Sequence, residues 1–263
     1  MIICFSGTGN TALCARELAS FLDERVIMAD SSMLRHPQRS SLSALPEDRR
    51  VIWAFPTYGW LIPPVMERLM RLITIDGAVQ LPHYMLTTCG DDMGTLARGW
   101  RELMAERGWT AASAYAVRMP NTYVFLPGFN VDSAEVEREK LERCPASLED
   151  IARRLKENIP GDVLIPGAMP GVKSGVLGPV FRKFYMRPGP FMHTAACTAC
   201  GVCAGECPME NISMAKDGPV WGKECAFCLR CYHICPHHAV AYGRQTRGKG
   251  QYRACMKEVT RVR

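Results

Sequence analysis

The chain opens with MIICFSGTGNT (residues 1–11), an apolar run followed at once by a loop rich in glycine and hydroxyl groups. The apolar run suits a buried strand, and the loop then leads into the first turn of a helix. Backbone N–H groups at a helix N-terminus bind phosphate without a lysine. We therefore predict a phosphate loop at Ser6, Gly7, Thr8, Gly9, Asn10 and Thr11, with an ordinary tight turn as the alternative.

This loop differs from the two common nucleotide-binding motifs. It lacks the Gly-Lys-Ser/Thr ending of a nucleoside triphosphate loop and the GxGxxG of a dinucleotide site. No second nucleotide-binding unit follows, so direct oxidation of NAD(P)H is disfavoured.

Strand and helix patterns alternate through residues 1–160, which predicts a parallel sheet with helices on both faces. Ligands of such sheets bind beyond the carboxyl ends of the strands. Pro145 is expected to split the last helix, with Ser147 capping its second half. We expect strands near 1–5, 26–29, 51–55, 83–88 and 112–118, and helices near 10–22, 63–74, 93–107 and 133–158.

Two further loops follow strands of this sheet and should lie beside the phosphate loop. The first holds two large aromatic residues, and the second is rich in glycine, so together they suit a planar ring with a polar edge. Packing at the edge of the core is the alternative for the aromatics. The candidate ring contacts are Pro56, Thr57, Tyr58, Gly59 and Trp60 in the first loop and Thr88, Cys89, Gly90, Asp91 and Gly94 in the second.

These three loops together resemble flavodoxin over residues 1–158. The resemblance implies FMN as cofactor and a doubly wound, five-stranded parallel sheet of strand order 2-1-3-4-5. The third loop departs from the common flavodoxin form, because Thr88 and Cys89 stand before Gly90. A further loop, residues 119–130, follows the fifth strand, and its Asn121 and Tyr123 either approach the site or belong to a simple surface loop.

Eight of the thirteen cysteines fall in two copies of one spacing, CTACGVCAGECP (197–208) and CAFCLRCYHICP (225–236). Each copy reads Cys-x-x-Cys-x-x-Cys-x-x-x-Cys-Pro, so the two copies match at every cysteine and at the proline. This spacing is typical of two 4Fe–4S clusters in which the fourth cysteine of each run serves the other cluster. Zinc sites use separated pairs of ligands, and disulfides need an oxidising compartment, so both alternatives are weaker.

We therefore assign the eight cysteines to two sets. The first cysteine set is Cys197, Cys200, Cys203 and Cys235, and the second cysteine set is Cys225, Cys228, Cys231 and Cys207. Short strands are expected after each Cys-Pro, around Ile212 and Val240. The segment resembles the bacterial two-cluster ferredoxins, a small α+β fold, and the whole chain resembles fused flavodoxin–ferredoxin proteins. Histidines 233, 237 and 238 are expected at the surface, and the other five cysteines as buried apolar residues.

Composition and charge divide the chain into four parts. We predict a flavodoxin-like domain at 1–160, a linker with a short amphipathic helix at 161–192, a two-cluster domain at 193–245 and a basic tail at 246–263. The net charge of +6 is uneven: residues 1–160 hold 18 basic and 20 acidic side chains, whereas residues 243–263 hold seven and one. We interpret the tail as a solvated segment that wraps around the anionic two-cluster domain. The alternatives are that it attracts an acidic partner protein or contacts an anionic membrane surface.

The predicted function is electron transfer between FMN, two 4Fe–4S clusters and external redox partner proteins. The alternative is an FMN-dependent oxidoreductase that reduces a quinone or nitro compound over residues 119–130, and a third hypothesis is a redox sensor that acts through the tail. No nucleic-acid motif accompanies the basic charge. No apolar run is long enough to span a membrane. The linker helix is expected to dock between the domains, with shallow membrane contact as the alternative. Without a signal peptide, we expect a cytoplasmic location.

Overall fold

A computed structural model describes residues 1–126 and 128–260. The strands are β1 (Ile2–Cys4), β2 (Val26–Met28), β3 (Ser41–Ser43), β4 (Val51–Pro56), β5 (Thr74–Asp76), β6 (His83–Cys89), β7 (Ala111–Arg118), β8 (Phe191–His193), β9 (Ile212–Ala215), β10 (Gly218–Trp221) and β11 (Val240–Tyr242). The helices are α1 (Asn10–Leu22), α2 (Ser31–Arg35), α3 (Pro64–Leu72), α4 (Leu96–Glu106), α5 (Ala134–Lys156), α6 (Pro170–Val172), α7 (Gly178–Phe184), α8 (Val202–Gly205) and α9 (Arg230–Ile234).

Five parallel strands form the central sheet, in the order β2-β1-β4-β6-β7. The strand order reverses between β1 and β4, which is where doubly wound sheets bind their ligands. Alternate residues pack on opposite faces: Ile3 and Trp53 lie in one core cluster, Ile2 and Ile52 in the other. Because both faces are covered, the strands read as continuous apolar runs. The predicted five-stranded parallel sheet is confirmed.

A second, two-stranded parallel sheet lies outside the central one. It pairs β3 with β5 and was not expected from the sequence. Its strands are very short and alternate exposed and half-buried or buried positions, as in SLS and TID. Runs this short carry too little hydrophobic periodicity to be separated from loops.

Helix α5 runs unbroken through Pro145, so the predicted split is wrong. A proline inside a helix removes one hydrogen bond and costs about 3 kcal/mol. Here that cost is offset by a buried stripe, Cys144, Leu148, Ile151, Ala152 and Leu155, which packs against the sheet. Ser147 does not cap a new helix; its hydroxyl donates to the carbonyl of Arg143 within the same helix. The N-terminal cap is Ser133, which accepts from the N–H of Val136.

About half of the glycine- and proline-rich segment between the two halves is helical. Helices α6 and α7 are joined by a π-helical turn, Lys173–Leu177, into one continuous linker helix, residues 170–184. It begins earlier than the sequence indicated, because Pro170 occupies the first turn, where its missing N–H costs nothing. Gly171 and Gly175 lie within this helix, and a Cβ added to either would meet no other atom. These glycines therefore do not mark a flexible linker, as the sequence had indicated.

The cysteine-rich half is built from two small antiparallel sheets and two short helices. Strand β8 pairs with β11, and β9 forms a hairpin with β10. An aromatic cluster fills its centre, with Phe227 and Phe191 packed edge-to-face on Tyr242. The strands expected at Ile212 and Val240 are present as β9 and β11.

The C-terminal segment, residues 249–259, folds back onto the start of α1. Tyr252 and Cys255 are buried there, so this part of the predicted basic tail is not a solvated extension. Residues 261–263 of that tail, and Pro127 of the loop 119–130, lie outside the described residues. Every helix that the structure describes is too short or too polar to cross a bilayer.

Candidate functional site

The phosphate loop, residues 6–11, turns from β1 into α1 and is buried throughout. Gly9 adopts a left-handed φ of 99°, and its N–H donates to the Ser6 hydroxyl at 3.2 Å. Within residues 1–126 and 128–260, the N–H groups of Gly7, Thr8, Asn10 and Thr11 have no protein acceptor. Buried N–H groups without a partner are rare and costly, so this cradle suits a bound anion.

The C-terminal segment and one arginine enclose this loop. The Tyr252 hydroxyl donates to Oδ1 of Asn10 at 2.5 Å, and a Cβ on Gly9 would collide with the carbonyl of Cys255. The guanidinium of Arg230 donates to the carbonyl oxygens of Ser6 at 2.6 Å and Gly7 at 2.8 Å. A buried cation therefore lies beside the N–H cradle, which adds to its preference for anions.

Hydroxyl groups tie the three predicted loops together at the carboxyl edge of the sheet. Thr11 Oγ1 lies 2.8 Å from Thr88 Oγ1, and the N–H of Thr57 donates to the Thr88 carbonyl at 2.8 Å. Thr57 Oγ1 also lies 3.1 Å from Thr87 Oγ1. The structure thus brings together the residue ranges 6–11, 56–60 and 88–94 that the sequence singled out.

The two aromatic residues of the second loop face different neighbours. The Tyr58 ring packs edge-on against Phe5, with ring centroids 6.5 Å apart, and its hydroxyl oxygen points at Gly7. Burial, and after it the nearby Cys228 thiol, raises the pKa of Tyr58. Trp60, at a strained φ of 61°, instead faces the linker helix: its ring lies 5.7 Å from Lys173 Nζ. Of the two, Tyr58 is the aromatic residue next to the phosphate loop.

The third loop, residues 88–94, is held by side chains from elsewhere in the chain. Asn121 contacts Gly90 so closely that a Cβ there would collide with its carboxamide, which also donates to Asp91 at 3.3 Å. Asp92 pairs with Lys173 at 2.5 Å. Burial raises the pKa of the Cys89 thiol to about 12, so this thiol is neutral at physiological pH.

Sequence reasoning missed the linker helix as a wall of this region. Ser174 donates to the Trp60 carbonyl at 3.0 Å and accepts from the N–H of Thr95 at 2.8 Å, which fixes both loops. The only signal for this role was the pair Lys173-Ser174 in an otherwise apolar stretch. For Tyr123 the sequence left open an approach to the flavin or the two-cluster domain, or a simple surface loop; its ring packs among Phe125, Phe129 and Phe181, against the core of the cysteine-rich half.

The first cysteine set surrounds a single cavity. Cys197, Cys200, Cys203 and Cys235 all line it, together with the backbone that links them. Burial raises the pKa of Cys203 to about 11, and the neighbouring thiols of Cys235, Cys200 and Cys197 add to this. Cys200 is exposed to solvent. These four side chains are the ones that the spacing grouped.

The second cysteine set is also gathered, but deeper in the protein. Burial first, and then the thiols of Cys228, Cys225 and Cys207, raise the pKa of Cys231 well above its usual range. Burial likewise raises the pKa of Cys225 to about 12. Thiols in such surroundings ionise only when a metal supplies the compensating charge.

Backbone N–H groups donate to thiol sulfurs in a pattern that repeats with the sequence. Sulfurs of iron–sulfur centres are stabilised by such donors, which also tune the reduction potential. The bonds run from Ala199 to Cys197 (3.5 Å) and from Phe227 to Cys225 (3.3 Å), and again from Asn211 to Cys207 (3.4 Å) and from Ala239 to Cys235 (3.2 Å). Within each pair, the two bonds occupy equivalent positions in the two copies of the cysteine repeat.

The same repeat appears in the backbone conformation. A left-handed φ in a residue other than glycine costs of order 1–3 kcal/mol and is concentrated at functional sites. The matched left-handed pairs are Ala199 (53°) and Phe227 (56°), Gly201 (76°) and Leu229 (58°), and Glu210 (49°) and His238 (50°). Strain kept at matched positions indicates that the two loops serve one geometric purpose.

No three His, Cys, Asp or Glu side chains in the described ranges lie close enough together to hold one metal ion. A 4Fe–4S cluster differs from such a site, since its four thiolates bind four irons at separate corners of a cube. Its ligands therefore surround a larger volume than the ligands of a single ion. The donor set, four thiols with N–H donors, fits the cube, and the assignment of both clusters stays a prediction.

The two cysteine sets differ in what they touch. A Cβ on Gly7 would lie 2.7 Å from the carbonyl oxygen of Cys228, so the second set rests directly on the phosphate loop. Arg230, which follows Cys228 closely in the chain, clamps the two together and also donates to the carbonyl of Glu206.

His233 is fully buried, so its expected surface position is wrong. Its Nδ1 accepts from the N–H of Tyr252 at 3.0 Å, and its Nε2 lies 2.9 Å from the carbonyl of Thr122. A neutral ring with the proton on Nε2 satisfies both contacts. His233 therefore fastens the loop 119–130 and the C-terminal segment to the second cysteine loop. His237 and His238 are exposed, as expected.

Comparisons with known proteins give weak results. No family model and no curated protein matches the chain. Among solved structures, Trp repressor binding protein from Bacillus subtilis is 12% identical (TM-score 0.33; 56% of this chain, 96% of that one). Streptococcus pneumonia TIGR4 flavodoxin is 16% identical, with a TM-score of 0.34, and the match covers 58% of this chain and 97% of that one.

A third solved structure, the metal-soaked Flv1 flavodiiron core from Synechocystis sp. PCC6803, is 17% identical with a TM-score of 0.37. The match covers 60% of this chain but only 36% of that one. At these TM-scores the similarities carry no weight on cofactor or function. The case for function therefore rests on the loops and cysteine sets of this chain.

Proposed function

We propose that this protein is an electron-transfer iron–sulfur flavoprotein with one FMN and two 4Fe–4S clusters, which exchanges electrons with external redox proteins. The observation that carries the proposal is the contact between Gly7 and Cys228, where a predicted flavin phosphate loop meets a predicted cluster ligand. Neither motif alone would connect the two kinds of redox centre.

The residues present fit both cofactors. The N–H groups of Gly7, Thr8, Asn10 and Thr11, which have no acceptor among the described residues, would hold the phosphate of FMN, with Arg230 beside them. The two cysteine sets would hold the clusters as thiolates, with repeated N–H donors on their sulfurs. When bound, the flavin exchanges electrons in pairs or singly, and each cluster exchanges one.

The chain's own contribution is to fix distances and to exclude water. Arg230 donates to two carbonyls of the phosphate loop and to Glu206 and Val259, so it fastens the two halves in one orientation. Joining both cofactor sites in one chain replaces a collision between carriers by an intramolecular contact. The exposed Cys200 marks the first set as the side open to redox partner proteins.

We also infer a cytoplasmic location, because that reducing compartment keeps eight ligand thiols available. The donor and acceptor are proposed to be proteins and not nucleic acid. Their identity would follow from the reduction potentials, which the surroundings of the two sets determine.

Photoreduction of anaerobically purified protein tests the proposal. The flavin is reduced with light and a sacrificial donor, and cluster signals are followed by EPR at several dilutions. We expect the clusters to reach equilibrium with the flavin at a rate independent of protein concentration. A rate proportional to concentration, or no equilibration, would contradict an intramolecular relay.

A further inference from the structure

The linker helix presents an apolar face to solvent. Val172, Val176, Val180 and Phe184 recur at every fourth position and are each 45–56% exposed. Side chains at this spacing lie on one face of a helix, so they form a continuous row about 18 Å long at 1.5 Å per residue. Met169, Leu177 and Tyr185 extend the row at its ends and side.

The opposite face of the helix already fixes it to the protein. Ser174 bridges Trp60 and Thr95, Gly178 packs against the carbonyl of Gly59, and Phe181 is buried among other aromatic rings. The hydrogen bonds and close packing that fix the helix therefore lie on the face opposite the outward valines. A continuous apolar row exposed to solvent marks a site of contact with another protein or with a membrane.

The outward face lacks the groups that give protein interfaces their specificity. Its exposed residues between 171 and 180 are glycine, valine, leucine and proline, which offer no side-chain hydrogen bond. Protein interfaces place polar side chains and a hydrogen-bonding rim around their apolar centre. A face that is apolar along its whole length suits hydrocarbon better than a folded partner.

The charges of the linker helix and of the residues that follow it are all positive. Residues 163–205 contain four Lys or Arg and no Asp or Glu. Lys173 and Arg182 pair with Asp92 and Glu67, but Lys183 and Arg187 form no ion pair within residues 1–126 and 128–260. Lys183 lies over the Phe184 ring at the end of the apolar row, and the Arg187 guanidinium donates to the Lys183 carbonyl, so both cations are placed to complement an anionic surface.

We propose that the linker helix seats the protein on anionic membrane surfaces. The helix lies flat at the interface, with Val172, Val176, Val180 and Phe184 in the acyl boundary and Lys183 and Arg187 at the headgroups. This proposal is independent of which cofactors the protein holds, since it uses none of their ligands. It gives the electron carrier a location next to membrane-bound redox enzymes.

Vesicle flotation of the full-length, cofactor-loaded protein tests the proposal. The probes are vesicles of phosphatidylcholine alone and of phosphatidylcholine mixed with phosphatidylserine. We expect wild type to float with the mixed vesicles and not with the neutral ones. The double variant Val176→Gln/Val180→Gln should lose flotation, whereas Val79→Gln, at a site 65% exposed elsewhere on the surface, should retain it.

The cations give a second, graded readout. Lys183→Gln and Arg187→Gln should each weaken binding to the mixed vesicles by about fivefold, since a basic residue near an anionic surface contributes about this factor. Unchanged flavin and iron content in every variant shows that the fold is intact. Absence of wild-type flotation, or an equal loss in Val79→Gln, would overturn the proposal. A wild-type dimer that becomes monomeric in the valine variant would assign the face to a second copy instead.

Discussion

The two cysteine sets have the same spacing but different surroundings. The first set lines an open cavity, and its Cys200 is exposed. The second set has no exposed member, since Cys231 is buried and the other three are half-buried, and Cys228 touches the phosphate loop at Gly7. The repeated cysteine spacing therefore gives two copies of one ligand geometry, whereas the fold gives each copy its own neighbours.

This difference assigns a separate role to each copy. Under the proposed function, a centre with no exposed ligand beside the phosphate loop suits exchange within the protein, and one with an exposed ligand suits exchange with a partner. Solvent exposure and hydrogen bonds to sulfur shift cluster potentials over a wide range, so the two clusters should also differ in potential. Arg230 sharpens the contrast, because its buried cation lies beside the second set.

Replacing one ligand in each set should produce the largest effect. Cys200→Ala and Cys228→Ala should each lower the iron content from about eight to about four per chain, since each removes a ligand of one cluster. Cys228→Ala alone should also weaken flavin retention, because loss of a cluster ligand would loosen the cysteine loop that rests on Gly7. Iron, sulfide and flavin analysis of both variants checks this. Equal flavin loss in the two would show that the sets are equivalent.

A methyl group at Gly7 should separate the second set from the phosphate loop. Gly7→Ala places a Cβ 2.7 Å from the Cys228 carbonyl, and overpacking of this kind costs about 1–3 kcal/mol. Gly189→Ala is the matched control, because Gly189 also lies outside a helix and no atom lies within 4 Å of its added Cβ. Chemical unfolding measures both. A Gly7→Ala protein as stable as Gly189→Ala would mean that the two halves do not touch here.

Iron release should distinguish the sets by their accessibility. A bulky chelator should remove iron in two phases that differ by roughly tenfold or more in rate. The slow phase belongs to the second set, which has no exposed member and must first open locally. The fast phase should be missing in Cys200→Ala, and the slow phase in Cys228→Ala. Absorbance of the chelated iron follows both phases. A single phase in wild type would contradict unequal burial.

The smallest expected effect is a pH dependence of stability that arises in the central sheet. Both ligand variants should share it. His83 is fully buried, with its ring stacked on Trp109 and its Nδ1 accepting from the indole N–H of Trp53, and burial lowers its pKa to about 4. Its unfolded pKa is about 6.5. The stability that the neutral ring contributes is therefore complete above pH 6.5 and is lost as the pH falls toward 4.

Between pH 7.5 and 6 this loss should be on the order of 1 kcal/mol. His83→Gln should remove that part of the pH dependence, whereas Cys200→Ala and Cys228→Ala should keep it. Denaturation curves at the two pH values give the slopes. A slope that disappears in Cys228→Ala but stays in His83→Gln would assign the acid sensitivity to the cysteine half.

Much of this site was predictable because its parts are local. The loop Ser6–Thr11 carries its phosphate preference in its own residues, and the cysteine spacing groups the ligands without any knowledge of the fold. The same holds for α1, whose predicted range, 10–22, agrees with Asn10–Leu22. Periodicity and spacing are short-range properties, and a sequence displays them directly.

The remainder depended on long-range contacts that no local pattern contains. Arg230 is one of two residues between Cys228 and Cys231, and its role follows only from its contacts with Ser6 and Gly7. Nothing in the local sequence distinguishes Tyr252, whose role follows from the hydrogen bond that its hydroxyl donates to Asn10. Pro145 shows the opposite error, in which a strong local signal is overridden by the packing of α5 on the sheet.

Cofactor analysis after oxygen-free purification tests the central claim most directly. Iron, acid-labile sulfide and flavin are measured per chain on the same sample. We predict about eight irons, about eight sulfides and one FMN, as two cubes and one phosphate loop require. Zinc without labile sulfide, or full iron content with no flavin at any purification stage, would contradict the pairing of the two redox sites in this chain.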